Sequence, residues 1–192
     1  MKDNTQVAAT STDNRAGGMA PGSSAGVPPA TAPRIPAPLW ATVAGTFFGI
    51  GRLRPGPGSW ASAVTVVLWA ALARLLSPLF LTAVVIALVV VVILIGIPAA
   101  TQVARASGRK DPQMVVIDEV AGQLIALIAI PLTWKSVVGG FILFRGFDIV
   151  KPPPVRQLEA APEGAGIVLD DVAAGLYALA AMHLLLHFNL LK

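Results

Sequence analysis

Five of the ten acidic residues in this 192-residue chain lie within or directly beside long apolar stretches: Asp118, Glu119, Asp148, Asp170 and Asp171. A carboxylate in apolar sequence is energetically expensive, and inside a membrane segment it is a functional candidate by default. Clustered carboxylates must become protonated, pair with cations or bind a metal. Their hard oxygen ligands favour Mg²⁺, Mn²⁺ or Ca²⁺ over zinc. We therefore expect a cation-dependent site wherever the fold brings these residues together.

Two cations flank one of these acids. Arg145 precedes Asp148 by three residues and Lys151 follows it by three, so on a helix all three lie near one another. Three consecutive prolines then end that helix at residues 152–154. A metal and a guanidinium together neutralise the charge that develops on a phosphate ester during its hydrolysis. The pattern therefore indicates phosphate chemistry.

Simpler interpretations exist for single members of this set. Asp148 could do no more than pair with Arg145 or Lys151, and Asp170 could be the N-cap of the last helix. The adjacent pair at 118–119 is harder to explain structurally, because neighbouring helical side chains diverge by about 100° and one packed face cannot hide both. His183 and His187 have the spacing of metal ligands but lie far along the last apolar segment from the acids. We expect these two histidines to pack or to lie at an interface.

A glycine-rich element, residues 56–59, precedes the first apolar segment. Exposed amides ahead of a helix can bind an anion, which makes Gly58 and Ser59 candidate phosphate-binding residues, with Arg52 and Arg54 close by. No Gly-Lys-Ser/Thr follows, so the element is not a P-loop. An ordinary turn is the alternative.

Composition excludes several classes of protein. The chain is 55% hydrophobic and only 12% charged, whereas soluble domains have about 25% charged residues. Its net charge of +4 is spread along the chain with a single tyrosine, which favours a membrane over nucleic acid as the partner. The absence of cysteine excludes disulfides, thiolate metal sites and cysteine phosphatases. Neither an Asp-x-Asp-x-Thr/Val nor a Pro-Ser-Gly-His phosphatase motif occurs.

The elements that must position the acids are apolar segments. In lipid such segments must be helical, because unsatisfied backbone groups are not tolerated there. The sequence thus predicts an all-α, polytopic membrane protein with about five hydrophobic helices in one bundle, spanning residues 39–192. Residues 1–38, rich in proline, alanine and glycine, are predicted to be a disordered tail. The five segments are residues 60–76, 79–97, 114–132, 136–150 and 172–191.

The distribution of basic residues predicts the orientation of this bundle, because lysine and arginine concentrate on the cytoplasmic side. With five spans, all five acids fall at the basic end, although the acids played no part in assigning it. We expect that end to face the cytoplasm. It carries Arg52, Arg54, Arg105, Arg109, Lys110, Arg145, Lys151 and Arg156, against Arg74, Lys135 and Lys192 at the other.

Three motifs occur in a fixed order: IDEVAG at residues 117–122, FRGFDIVKPPP at 144–154 and GIVLDDVAAG at 166–175, with PGS at 57–59 before them. In this combination the sequence resembles the bacterial phosphatidylglycerophosphatase A family, from about Gly45 to Tyr177. It departs from the residues usual in that family at Arg54, Ser59 and Pro153.

The resemblance implies a membrane-bound, Mg²⁺-dependent enzyme that removes the terminal phosphate of phosphatidylglycerophosphate to give phosphatidylglycerol in phospholipid biosynthesis. It implies an inner-membrane location in a bacterium, with the site on the cytoplasmic face. The family's basic positions fall on Arg145 and Lys151, expected to bind the phosphate. The family's acidic positions fall on the same five carboxylates, with Asp118, Glu119, Asp148 and Asp171 expected to be catalytic and Asp118, Glu119, Asp170 and Asp171 to hold metal.

Two alternatives remain open at this point. The same site could hydrolyse another lipid phosphate, or the chain could be a non-enzymatic cation-binding membrane protein. Two cations beside the acids argue against a pure cation site. The sequence sets neither the number of metal ions nor the oligomeric state.

Overall fold

The computed structural model describes residues 36–191, and within that range every regular element is helical. The predicted all-α class is confirmed. The predicted tail, residues 1–38, falls outside the described residues except for its last three. The helices are α1 (Leu39–Gly45), α2 (Pro57–Leu75), α3 (Pro78–Ser107), α4 (Ile117–Ala126), α5 (Trp134–Val150), α6 (Val155–Leu158) and α7 (Glu163–His187), with a 3₁₀ turn at Ile50–Arg52.

Three helices, α2, α3 and α7, are long and apolar enough to cross a membrane. At about 1.5 Å per residue, the 30 residues of α3 extend roughly 45 Å, more than the hydrocarbon core of a bilayer. Large apolar side chains such as Val90 and Leu94 remain exposed along α3. Such a surface suits lipid rather than water.

The fourth helix differs from its prediction. Residues 114–132 were expected to form one full-length span, but α4 has only 10 residues and ends at Ala126. All of its residues except Glu119 are buried, because α2, α3, α5 and α7 pack around it. Its apolar composition therefore reflects a protein interior and not a lipid-facing surface.

Local signals explain where several helices begin and end. Proline occupies the first turn of α2 and of α3, where its missing N–H goes unneeded. Gly108, at φ 65°, ends α3, as glycine commonly does in the left-handed conformation. Thr133 caps α5 by accepting a hydrogen bond from the backbone N–H of Ser136 at 3.0 Å.

The last helix begins earlier than the sequence suggested. The apolar segment was placed from residue 172, but α7 starts at Glu163 with Pro162 as its N-cap residue. Asp170 therefore lies inside the helix. The interpretation of Asp170 as an N-cap is wrong.

Candidate active site

Two glycines bring the acids of α4 and α7 together. Gly122 and Gly175 lie where the two helices cross, and a Cβ added to Gly175 would come within 2.5 Å of the Gly122 carbonyl oxygen. Only glycine permits so close a backbone approach. Asp118 lies one helical turn before Gly122 and Asp171 one turn before Gly175. Because the carboxylates of the two aspartates converge, both helices run in the same direction towards the crossing, and the aspartates lie at the same end of the helix pair.

At that end, carboxylate oxygens of Asp118, Glu119 and Asp171 converge to within 4.8 Å of one another. Asp118 is 8% exposed and Asp171 4%. One oxygen of each residue (Oδ1, Oε2 and Oδ2 respectively) is buried without a hydrogen-bond partner among the described residues. Buried acceptors left unpaired are costly unless a ligand satisfies them. A hard cation fits this donor set, and the three residues form a group that could bind a metal ion.

Arg145 connects this group to Asp148. Its Nη1 lies 2.6 Å from Asp148 Oδ2 and 3.9 Å from Glu119 Oε1. The pairing of Arg145 with Asp148, considered above as a purely structural alternative, is therefore present, but it is only part of the arrangement. The buried Nε of Arg145 has no hydrogen-bond partner among residues 36–191. That nitrogen remains as a donor for an anion in the site.

Lys151 binds Asp170, the remaining acid of α4 and α7 at this end of the bundle. Its Nζ donates to Asp170 Oδ2 at 2.7 Å and lies 3.3 Å from Glu159 Oε2. Partial burial lowers the pKa of Lys151, but the hydrogen bonds and negative charges of Asp170 and Glu159 outweigh it, and the pKa is raised above its usual range. The Lys151 ammonium group is therefore protonated and positively charged at neutral pH. Asp170 is thus held by Lys151 and stands apart from the three-carboxylate group.

A single cavity of about 1040 Å³ opens onto all of these residues. It contains every residue predicted for the site except Ser59, which is exposed on the first turn of α2 and does not line it. Gly58 does line it, and a Cβ at that position would collide with the Glu119 carboxylate. The absence of a side chain at Gly58 thus leaves room for Glu119.

The cavity also contains two acids other than the five identified from the sequence. Asp111 lies in the α3–α4 loop and Glu159 directly follows α6. Both loops connect helix ends on the acidic side of the bundle, a signal that chain topology alone could have provided. Conversely, His183 lies away from the cavity, with its Nε2 3.2 Å from the carbonyl oxygen of Ile128, as expected for a packing residue.

A bundle with three helices long and apolar enough to cross a membrane, a buried carboxylate group and adjacent cations at one end has the features of an enzyme of phosphate chemistry that acts at a membrane. The family model described as phosphatidylglycerophosphatase A matches residues 43–186. The chain belongs to this family and is a phosphoric monoester hydrolase. The alternative of a non-enzymatic cation-binding membrane protein is therefore wrong.

Curated relatives agree with this assignment. The chain is 37% identical over 134 residues to a Haemophilus influenzae protein named "Phosphatidylglycerophosphatase A", covering 68% of this chain and 79% of the relative. An Escherichia coli protein of the same name is 32% identical over 143 residues, covering 73% and 80%.

A third relative has a different name. A Bacteroides thetaiotaomicron protein named "Putative phosphatidylinositol-3-phosphatase" is 40% identical over 137 residues, covering 70% of this chain and 86% of the relative. No solved structure matches the chain.

Proposed function

We propose that the chain hydrolyses the terminal phosphomonoester of phosphatidylglycerophosphate, giving phosphatidylglycerol and inorganic phosphate in an Mg²⁺-dependent step of phospholipid biosynthesis. The observation that carries this proposal is the buried group of Asp118, Glu119 and Asp171, with unpaired oxygens, beside the unpaired Arg145 Nε. An acceptor-only group next to a cationic donor suits a metal ion and a phosphate bound side by side.

Asp118, Glu119 and Asp171 would hold Mg²⁺, whereas Asp170, also predicted to hold metal, is bound by Lys151. When bound, the ion supplies Lewis-acid polarisation of the phosphoryl group and lowers the pKa of a water molecule. The ten-residue α4 holds its two carboxylates rigidly because it is enclosed by four other helices. The fixed position of these ligands means that little reorganisation is needed when substrate binds.

Arg145 and Lys151 would bind the phosphate oxygens. The 2.6 Å contact with Asp148 restrains the Arg145 guanidinium, and its unpaired Nε would donate to the phosphate. Asp148 in turn is available to orient a water molecule or to bind metal, and Gly58, predicted to bind the phosphate, lies beside Glu119. Ser59, which does not line the cavity, stays a predicted phosphate-binding residue.

In the net reaction, an oxygen from water ends on phosphorus, the phosphorus–oxygen ester bond breaks, and the primary hydroxyl of the glycerol leaves with a proton. The lipid's acyl chains would lie against apolar helix surfaces such as that of α3. We further propose that residues 39–192 form the phosphatase domain in the bacterial inner membrane. Its cavity would open to the cytoplasm, because the basic residues concentrate at that end.

The test is phosphate release from phosphatidylglycerophosphate by the purified protein in detergent, with Mg²⁺ and with EDTA. We expect release that requires Mg²⁺ and that Asp118→Asn reduces by about a thousandfold, as expected for loss of a group that stabilises the transition state. Glu163→Gln is the matched control, because Glu163 is an exposed carboxylate outside the cavity that pairs with Arg105. Release by wild type that EDTA does not change would contradict the metal-dependent mechanism.

A second candidate substrate is phosphatidylinositol 3-phosphate, because the Bacteroides thetaiotaomicron relative is named for it. Both lipids present a phosphomonoester beyond a phosphodiester, and the carboxylate group does not distinguish them. Initial rates on both lipids at equal surface concentration decide between the two. A higher kcat/KM on the inositol lipid would replace the first proposal.

A further inference from the structure

Four cations line the opening of the cavity. Arg52 is the last residue of the 3₁₀ turn, Arg54 lies between that turn and α2, and Arg109 and Lys110 lie in the α3–α4 loop. All four are exposed, whereas the carboxylates below them are mostly buried. We refer to these four residues as the basic mouth, and to Asp118, Glu119 and Asp171 as the acidic floor.

The two loops of the basic mouth are fixed to each other. The backbone of Gly51 lies directly against the Met114 carbonyl, so closely that no side chain would fit between them. The Val116 N–H donates to the Gly45 carbonyl at 2.8 Å. In the first turn of α2, directly after the first loop, the Gly58 backbone lies against Glu119 of the acidic floor. The mouth is therefore held at a defined place above the floor.

No cation of the mouth is neutralised by an ion pair within residues 36–191, whereas Arg105, Arg145 and Lys151 each pair with an acid. Asp111 is the acid next to Lys110 along the cavity wall, but it makes no ion pair with the mouth in the described part of the chain. Four unneutralised positive charges facing one cavity form a binding surface for an anion.

From this arrangement, and resting on the proposed function, we propose that the basic mouth binds the phosphodiester of the lipid substrate. The substrate carries two phosphates separated by a three-carbon glycerol. The terminal monoester binds at the acidic floor. The phosphodiester, which carries the acyl chains, therefore lies nearer to the opening of the cavity than the monoester does. The mouth is the cationic surface at that outer position, and it selects lipids with a diester next to the monoester.

The experiment uses two double variants, Arg109→Gln/Lys110→Gln and Arg52→Gln/Arg54→Gln, in a neutral detergent. Arg156→Gln is the matched control, because Arg156 is an exposed arginine on the same side of the bundle that does not line the cavity. Each double variant should lose about ten- to a hundredfold in kcat/KM for phosphatidylglycerophosphate, mainly through KM, as expected for lost charge-assisted hydrogen bonds. The control should match wild type.

A binding measurement separates this proposal from the proposed function. Phosphatidylglycerol has the diester but no monoester, so its affinity reports on the mouth without turnover. We expect wild type and Asp118→Asn to bind it equally and each double variant to bind it at least about tenfold more weakly. If wild type binds this lipid but releases no phosphate from phosphatidylglycerophosphate, the proposed function fails and the mouth proposal stands.

Oleate, an anionic lipid without phosphate, tests whether the mouth attracts any anion by non-specific electrostatics. The double variants should bind oleate within about twofold of wild type, because a single carboxylate cannot use several donors as a diester does. Equal losses for oleate and phosphatidylglycerol would overturn the proposal in favour of non-specific electrostatics. Unchanged binding of phosphatidylglycerol by both double variants would overturn it as well.

Discussion

The acidic floor and the basic mouth belong to one cavity but are built in opposite ways. The floor residues project from two helices that touch at Gly122 and Gly175, and they are buried among packed side chains. The mouth residues project from loops and are exposed to solvent. Groups that take part in a reaction need fixed positions, whereas groups that attract an anion work at longer range and tolerate motion. The following substitutions test this difference.

The largest effect is expected from Asp171→Asn. It removes a charge from the acidic floor, where Asp171 is 4% exposed, and should lower kcat by about a thousandfold. Asp170→Asn is the informative comparison, because Asp170 is held by Lys151 and stands apart from the three-carboxylate group. We expect a smaller loss there. Phosphate release measured over a range of Mg²⁺ concentrations checks both variants. Equal losses of kcat would show that Asp170 has the same role as the three carboxylates of the acidic floor.

Gly122→Ala should damage the floor without changing any charged group. The new Cβ would lie against the Phe144 ring and 2.5 Å from the Asp171 carbonyl oxygen, so α4 and α7 must move apart. We expect a stability loss of about 1–3 kcal/mol from overpacking and a fall in kcat of about a hundredfold from misplaced ligands.

Gly146→Ala is the matched control for the helix crossing. Gly146 lies in α5 next to Arg145, but nothing lies within 4 Å of a Cβ added there. This variant should be as stable as wild type or about 1 kcal/mol more stable, because alanine favours the helix. Thermal unfolding in detergent and phosphate release compare the two variants. Equal behaviour would show that the close crossing is unimportant.

Arg145→Gln should have an intermediate effect. It removes the cation that contacts both Asp148 and Glu119, and we expect a loss of about ten- to a hundredfold in kcat/KM from missing charge-assisted hydrogen bonds to phosphate. Arg145→Lys should recover only part of it, because an ammonium lacks the planar fork of a guanidinium. Full activity in Arg145→Gln would exclude a phosphate-binding role.

Added salt should produce the smallest effect and should act mainly on the mouth. The exposed mouth cations are screened at high ionic strength, whereas the buried floor is screened much less. In wild type with excess Mg²⁺, raising the salt concentration to 0.5 M should increase KM several-fold and change kcat by less than about twofold. A double variant, which keeps two of the four mouth cations, should show a weaker dependence of KM on salt than wild type. A salt effect confined to kcat would contradict the separation of the two regions.

The floor could be predicted from the sequence because acids are rare in apolar segments and therefore conspicuous. Asp118, Glu119 and Asp171 were identified this way, and the structure brings them to within 4.8 Å of one another. Their detailed pairing could not be predicted, since the contact between Lys151 and Asp170 depends on where α5 ends and α7 begins.

The mouth and the length of α4 were harder to predict. Arg109 and Lys110 look like the ordinary basic residues of a cytoplasmic loop, and only the cavity separates them from Arg156. An apolar segment has the same sequence pattern whether lipid or protein surrounds its helix. Residues 114–132 were therefore expected to form a full span, although α4 is a buried helix of 10 residues.

The enclosure of α4 has a consequence for the order of synthesis. At about 15 Å, α4 is too short to span a bilayer alone, and it needs neighbours to occupy its place. The neighbour that completes the acidic floor, α7, follows all the other described helices in the chain and therefore leaves the ribosome after them. The newly made chain therefore has no complete acidic floor until α7 docks. A truncation before residue 163 would remove Asp171 together with the surface against which α4 packs.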